Sequence, residues 1–209
     1  MKALSVTIAT LLLGTGLALG QTITVPTTVE GTAGPWQWVN GGLNTAYQYG
    51  IGGNTAPDVV NASSGLTFSP GFSLTIKYVS GLVSLGPGYG WPYTDANGTS
   101  SIMDTNWYGG WAPASFMNPS TFPIYAGEMV GTFANNSGQI VGTPFPVGDL
   151  NTVTIPAGAT QLQLGINSVG YDADVGSWAI QVSEIPEPTT VRLVFISLLG
   201  FGLVIRRRR

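Results

Sequence analysis

Phe72-Ser73-Leu74-Thr75-Ile76-Lys77-Tyr78-Val79 places apolar residues at the even positions through Tyr78 and polar ones between them. Successive side chains of an extended chain point to opposite faces, so this alternation predicts a strand with one face on a core and the other in water. The same signal recurs downstream. Glu128-Met129-Val130-Gly131-Thr132-Phe133 follows Gly127 and stops at the turn residues Asn135-Asn136-Ser137-Gly138. Residues 140–141, 152–155 and 161–166 continue the series, and Ser177-Trp178-Ala179-Ile180-Gln181-Val182 closes it with Trp178, Ile180 and Val182 on one face. Upstream, Trp36 and Trp38 alternate in a strand-like way and residues 50–57 read as a loop. Short strands between Gly, Pro and Asn clusters, thirty glycines in all and no long helical pattern, predict an all-β antiparallel β-sandwich.

The two ends of the chain differ from this middle. Residues 1–20 carry one base, Lys2, then an apolar core over 6–13 and the small residues Ala18-Leu19-Gly20. That is the layout of a secretory signal peptide, which would start the mature chain at Gln21; a permanent N-terminal anchor is the competing expectation, with a core short for a span. At the other end Pro186-Glu187-Pro188 precedes Thr189-Thr190, an apolar run over 191–205 broken only by Arg192, and Arg206, Arg207, Arg208 and Arg209. Residues 189–205 number seventeen, at the short end of the roughly 17 to 25 that cross a bilayer as a helix. The four arginines favour the cytoplasmic side, which directs everything before the Pro-Glu-Pro outward. Bulk composition alone leaves an ordinary tail anchor open.

The domain between the ends, residues 21–184, is long enough for one sizeable core. It has one base, Lys77, against nine acids, a net charge of −8, which repels phosphate backbones and excludes nucleic acid as a partner. The chain contains no Cys and no His, which removes disulfides, Cys/His zinc sites, thiol nucleophiles and a Ser-His-Asp triad. A carboxylate pair of the glycosidase kind remains conceivable chemistry, but the spacing of the nine acids selects no pair, so the chain reads as a non-enzyme.

The order Pro186-Glu187-Pro188-Thr189, apolar helix, terminal arginines resembles the PEP-CTERM sorting signal over residues 186–209, in all three of its parts. The resemblance implies an exported protein held for a time in the membrane, with Pro186, Glu187 and Pro188 recognised by an exosortase, a membrane protease-transpeptidase. It also implies delivery to the cell surface or an exopolysaccharide matrix. Arg192 departs from the family, which continues apolar there.

Within residues 72–182, Val83-Ser84-Leu85-Gly86-Pro87-Gly88, Gly127-Glu128-Met129-Val130-Gly131, Pro156-Ala157-Gly158-Ala159, Leu162-Gln163-Leu164-Gly165-Ile166-Asn167 and Gly176-Ser177-Trp178-Ala179-Ile180-Gln181-Val182 are similar, in order, to the small calcium-dependent galactose-binding lectins of the PA-IL type. That resemblance implies a jelly-roll sandwich and a Ca²⁺ ion held by Asn167, Asp172 and Asp174 with a backbone carbonyl from residues 85–89. The family's His-Pro sugar grip is absent, and an oxygen-bearing residue is replaced by Ala173. An acidic hairpin that keeps the fold without the ion stays open as the alternative.

Tyr89, Trp91, Tyr93, Trp107, Tyr108 and Trp111 crowd together with Asp95, Asn97, Asp104 and Asn106. Aromatic faces beside amides and carboxylates suit sugar rings, and Tyr89, Trp91, Tyr93, Asp95 and Asn97 are the candidate glycan contacts. The other use of such a loop is to plug one end of the sandwich, which would make the chain a structural or adhesive matrix protein without a small ligand. Asn61-Ala62-Ser63, Asn97-Gly98-Thr99 and Asn135-Asn136-Ser137 match the N-glycosylation acceptor pattern.

Overall fold

The computed structural model describes residues 22–50, 52–102, 113–117 and 124–185. The expected leader and the sorting motif, with Arg206 to Arg209, lie outside them. The described chain forms eight strands: β1 (Ile23–Glu30), β2 (Asp58–Asn61), β3 (Ser73–Ser84), β4 (Met129–Ala134), β5 (Phe145–Pro146), β6 (Leu150–Thr154), β7 (Gln161–Ile166) and β8 (Val175–Ile185). They pair antiparallel in two four-stranded sheets, ordered β1-β8-β3-β6 and β2-β7-β4-β5. Only short 3-10 turns interrupt the strands, and no helix among the described residues is long and apolar enough to cross a membrane.

The alternation that predicts β3 and β8 is what joins them. Ile76 pairs with Val182 and Tyr78 with Ile180, so Leu74, Ile76, Trp178, Ile180 and Val182 fall on one buried face. Burying side chains of this size stabilises by about 1.5–3 kcal/mol each before the entropy of ordering is set against it. The opposite face is polar: the hydroxyls of Thr24 and Ser183 meet at 2.8 Å and those of Thr75 and Thr152 at 3.0 Å. β3 is longer than the eight residues read from sequence, because a bulge at Val79 shifts the register and lets the strand continue. Val79 is therefore exposed, and Val83 is the next buried apolar residue.

Two expectations are corrected. Trp36 and Trp38 do not form a strand. The N–H of Gln37 donates to Oε1 of Gln163 at 3.0 Å instead of to a neighbouring backbone, and the Trp36 indole donates to the Tyr47 carbonyl at 2.8 Å. This segment covers β7: a Cβ on Gly165 would stand 2.2 Å from the Gly34 carbonyl oxygen. Residues 140–141 likewise make only an isolated bridge, Ile140 to Ala134, before Gly142 at φ +80° turns the chain away. The strands β1, β2 and β5 are additions to what the alternation indicated.

Gly81 sits just past the bulge at φ +101°, where a Cβ would lie 2.2 Å from the Ser177 carbonyl oxygen; Gly71, at φ +87°, faces open space. Gly71→Ala therefore meets the backbone cost alone, about 1 kcal/mol, whereas Gly81→Ala adds a backbone clash and costs about 2–3 kcal/mol. Urea unfolding of the two variants checks the order, and equal losses would remove the clash from the account.

Candidate functional site

β3 ends at Ser84, and the chain turns sharply at Gly86, φ +113°, into the 3-10 turn Pro87–Tyr89. The Tyr89 N–H donates to the Gly86 carbonyl at 3.0 Å, and the Gly90 N–H donates to that of Pro87 at 3.2 Å. Trp91 follows with its carbonyl held by the Ser84 hydroxyl at 2.9 Å. Val83 and Thr94 then exchange backbone bonds of 3.0 and 2.8 Å, which fixes the segment from Tyr89 to Thr94 as a loop clamped at its base. The facing wall, from Gly98 to Ser101, is tied down where the Thr99 N–H donates to the Ala126 carbonyl and the Ala126 N–H to the Ser101 carbonyl, both at 2.8 Å.

Between these walls lies a groove of about 610 Å³ lined by Tyr89, Trp91, Thr94, Thr99, Ser100 and Ser101 with intervening Gly and Pro. Tyr89 is 82% exposed although it is a large aromatic residue, and Trp91 is half-buried. No charged side chain lines the groove among the described residues. An open cleft with two aromatic side chains and, besides the Tyr89 phenol, four aliphatic hydroxyl groups can hold a flat, neutral, polyhydroxylated molecule by ring stacking and hydrogen bonds.

The sequence-predicted contacts divide here. Tyr89 and Trp91 line the groove. Tyr93 is exposed beside it, while Asp95 and Asn97 shape the turn that leads into its second wall: Asp95 Oδ1 accepts the Asn97 N–H at 3.0 Å, and Asn97 Oδ1 accepts the Asp149 N–H at 3.1 Å. Thr94, Thr99, Ser100 and Ser101 are the polar lining residues that pattern reading missed; the signal available for the last three is a run of hydroxyls after Asn97-Gly98. Asp104, Asn106, Trp107, Tyr108 and Trp111 lie outside the described residues.

The proposed ion ligands are also separated by what they touch. Asn167 is fully buried, and its amide is engaged twice: Oδ1 accepts the Ala114 N–H at 3.2 Å and Nδ2 donates to the Tyr125 carbonyl at 2.8 Å. Asp172 is exposed on the turn Tyr171–Ala173. Asp174 is only 4% exposed, yet neither carboxylate oxygen has a partner in hydrogen-bond geometry. Burial pushes its pKa up to about 7, tempered by the nearby Ser168 hydroxyl and helped by the Asp172 charge. The two loops expected to meet do so, since a Cβ on Gly86 would lie 3.1 Å from that of Ala173. No group of three or more acidic residues is arranged to hold a metal among the described residues.

Glu128, just before β4, is the other acid pushed up to about 7, by burial against the opposing effect of the Tyr125 N–H, which it accepts through Oε2 at 2.8 Å. No family model, curated protein or solved structure shows significant similarity to the chain.

Both acids hold their proton more tightly in the fold than in the unfolded chain, so the stability they contribute is present below about pH 4 and is lost as pH rises through about 7. In chelator, Asp174→Asn should flatten this fall and be more stable than the parent by about 1–3 kcal/mol at about pH 8. Parallel stability-versus-pH curves for parent and variant would show that the carboxylate is not the source.

Proposed function

We propose that the chain is an exported cell-surface or extracellular-matrix protein, sorted through a PEP-CTERM/exosortase system, whose domain contacts glycan or exopolysaccharide through the groove of Tyr89 and Trp91. The observation that carries this is the groove itself. A cleft of about 610 Å³ with no charged side chain in its described lining, an exposed tyrosine, a half-buried tryptophan and hydroxyl groups on the facing wall has the chemistry of a saccharide site. The acidic domain, without Cys or His, fits a binding or scaffold role better than an enzymatic one.

The fold belongs to the same proposal. Sheets ordered β1-β8-β3-β6 and β2-β7-β4-β5 support a jelly-roll sandwich, because the chain alternates between two four-stranded antiparallel sheets and closes its last strand beside its first. Buried residues from both sheets join one hydrophobic cluster, as the inner faces of a sandwich do.

Calcium is the ion that the lectin resemblance implies, and the residues fit it in part. The unpaired, buried carboxylate of Asp174 is the kind of group a cation satisfies, and exposed Asp172 lies beside it. Asn167 fits poorly, because both atoms of its amide serve the backbone. Asp172 and Asp174 would hold the ion, which would supply positive charge to the carboxylates and a seat for sugar hydroxyls.

Affinity electrophoresis of the full chain in gels of neutral polysaccharide, run with calcium and with chelator, tests the binding. Tyr89→Ala should lower retention about tenfold and leave stability within about 0.5 kcal/mol, since the ring is solvent-exposed. Retention unchanged in that variant would return the groove to a packing role, and retention indifferent to chelator would remove the ion. For sorting, Glu187→Ala and Pro188→Ala should each block processing and leave the unprocessed chain in the inner membrane; an immunoblot of fractionated cells with normal maturation of both would restore the plain tail anchor.

A further inference from the structure

A second cavity of about 420 Å³ lies at the other end of β7, walled by Asn61, Thr67, Phe68, Asn136, Thr160 and Gln161. The groove and the acidic loop flank the Ile166 end of that strand, whereas this cavity opens at Gln161, about 17 Å away for five residues of extended chain. Its described lining holds no charged side chain, so it has no counter-charge for an anion or a metal ion.

Its polar groups are set in place before any ligand arrives. Asn61 and Gln161 are direct cross-strand partners of β2 and β7. Oδ1 of Asn61 accepts the Ser63 N–H at 2.9 Å and the Ser63 hydroxyl at 2.6 Å, which turns its NH₂ group the other way. Nε2 of Gln161 donates to the Asn135 carbonyl at 2.9 Å, which leaves its Oε1 as an acceptor. A fixed donor and a fixed acceptor thus stand on adjacent strands, Cβ atoms about 5 Å apart, the spacing that two neighbouring hydroxyls of one ring can bridge. Thr160 adds a hydroxyl that is buried without a partner.

The aromatic wall is the small accessible part of a core residue, Phe68, which is 6% exposed, and it is held at a cost. Phe68 is a non-glycine residue at φ +48°, a conformation that a bulky side chain rarely adopts. It is locked there by the residue before it: the buried carboxylate of Glu184, at the end of β8, accepts both the N–H and the hydroxyl of Thr67. A carboxylate brought into the core to fix a strained phenylalanine beside oriented amides matches the way backbone strain collects at ligand sites.

We propose that this cavity is a second saccharide site, taking one neutral hexose unit with its C–H face toward Phe68 and two adjacent hydroxyls on Asn61 and Gln161. It stands on its own lining and does not require the groove to bind.

The test is a side-chain amide and indole NMR titration of the ¹⁵N-labelled full chain with cellotetraose, maltotetraose and mannotetraose. At least one of the three should shift the NH₂ signals of Asn61 and Gln161. Asn136→Ala, which alters an exposed residue outside the strands, should weaken that response about threefold or more, and Phe68→Leu, which keeps the core filled and removes the ring, should abolish it while the rest of the spectrum stays folded. The second site is overturned if no sugar moves those amides, or if their shifts persist unweakened in both variants. A response of the Trp91 indole alone overturns it and leaves the groove standing; amide shifts without an indole response keep it and remove the groove.

Discussion

The side-chain amide of Asn167 is the joint on which the candidate site hangs. It leaves the end of β7 fully buried, takes the N–H of Ala114 and gives its NH₂ to the carbonyl of Tyr125, while its backbone accepts from the Gly127 N–H and donates to the Glu128 carbonyl at 2.9 Å each. A side-chain amide donates from its nitrogen and accepts at its oxygen, two atoms that can reach two different backbones, and a buried group left unpaired here would cost about 1–3 kcal/mol. The consequence reaches the groove by two short steps. Ala126, inside the loop that Asn167 holds, carries both backbone bonds that fasten the wall of Thr99 and Ser101. An acid at position 167 would keep the acceptor and lose the donor, so the asparagine suits a scaffold role that a metal-binding carboxylate could not fill.

A second constraint makes that loop worth holding. All six residues of β7 are buried, which requires cover on both faces of its sheet. One face meets the shared core through Leu162 and Leu164; the other carries Gln163 and Gly165, and there the segment of Trp36 packs down. Gly165 is needed for this approach, because any Cβ would stand against the Gly34 backbone. Trp36 then gathers Tyr47, Tyr49 and Phe116 edge-on at centroid distances of 6.1, 5.3 and 5.8 Å, and Tyr49 reaches Tyr171 at 5.5 Å. Contacts of this kind contribute about 0.5–1.5 kcal/mol each beyond the area they bury. They also bind the turn that bears Asp172 to the body of the domain.

What could be read from sequence follows from this arrangement. β3, β4, β7 and β8 announce themselves because alternation or a β-rich run between turn residues is a local property, and Trp178, Ile180 and Val182 lie on the buried face as read. β1 alternates too, through Ile23, Val25, Thr27 and Val29, but Pro26 interrupts the signal; the structure accommodates the proline by leaving β1 at a sheet edge. β5 is two residues long and has no pattern to show. Trp36 and Trp38 mislead because two alternating aromatics look the same in a strand and in a covering loop; only their distant partners, Gln163 and Phe116, tell the two apart. At the groove, Tyr89 and Trp91 stand out by aromatic identity and Asp95 makes a local turn bond to Asn97, while the ends of Asn97 and Asn167 are invisible, since a side-chain bond to a backbone some fifty residues away leaves no trace in local order.

The two ends of β7 are finished in different chemistry. At Ile166 the strand runs into a buried asparagine and then a carboxylate whose oxygens are both unpaired, beside a cleft lined by exposed Tyr89 and half-buried Trp91. At Gln161 it runs into neutral amides and a phenylalanine held in place by the fully engaged carboxylate of Glu184. Acids occur near both ends, but only the second is compensated, so the first is where burial of charge raises a cost that the fold alone does not relieve. If each end takes a saccharide unit, as proposed, one domain touches a polymer at two points about 17 Å apart along β7. The two sites add avidity on a single strand where the polymer spans that distance, and otherwise act independently and can hold two strands.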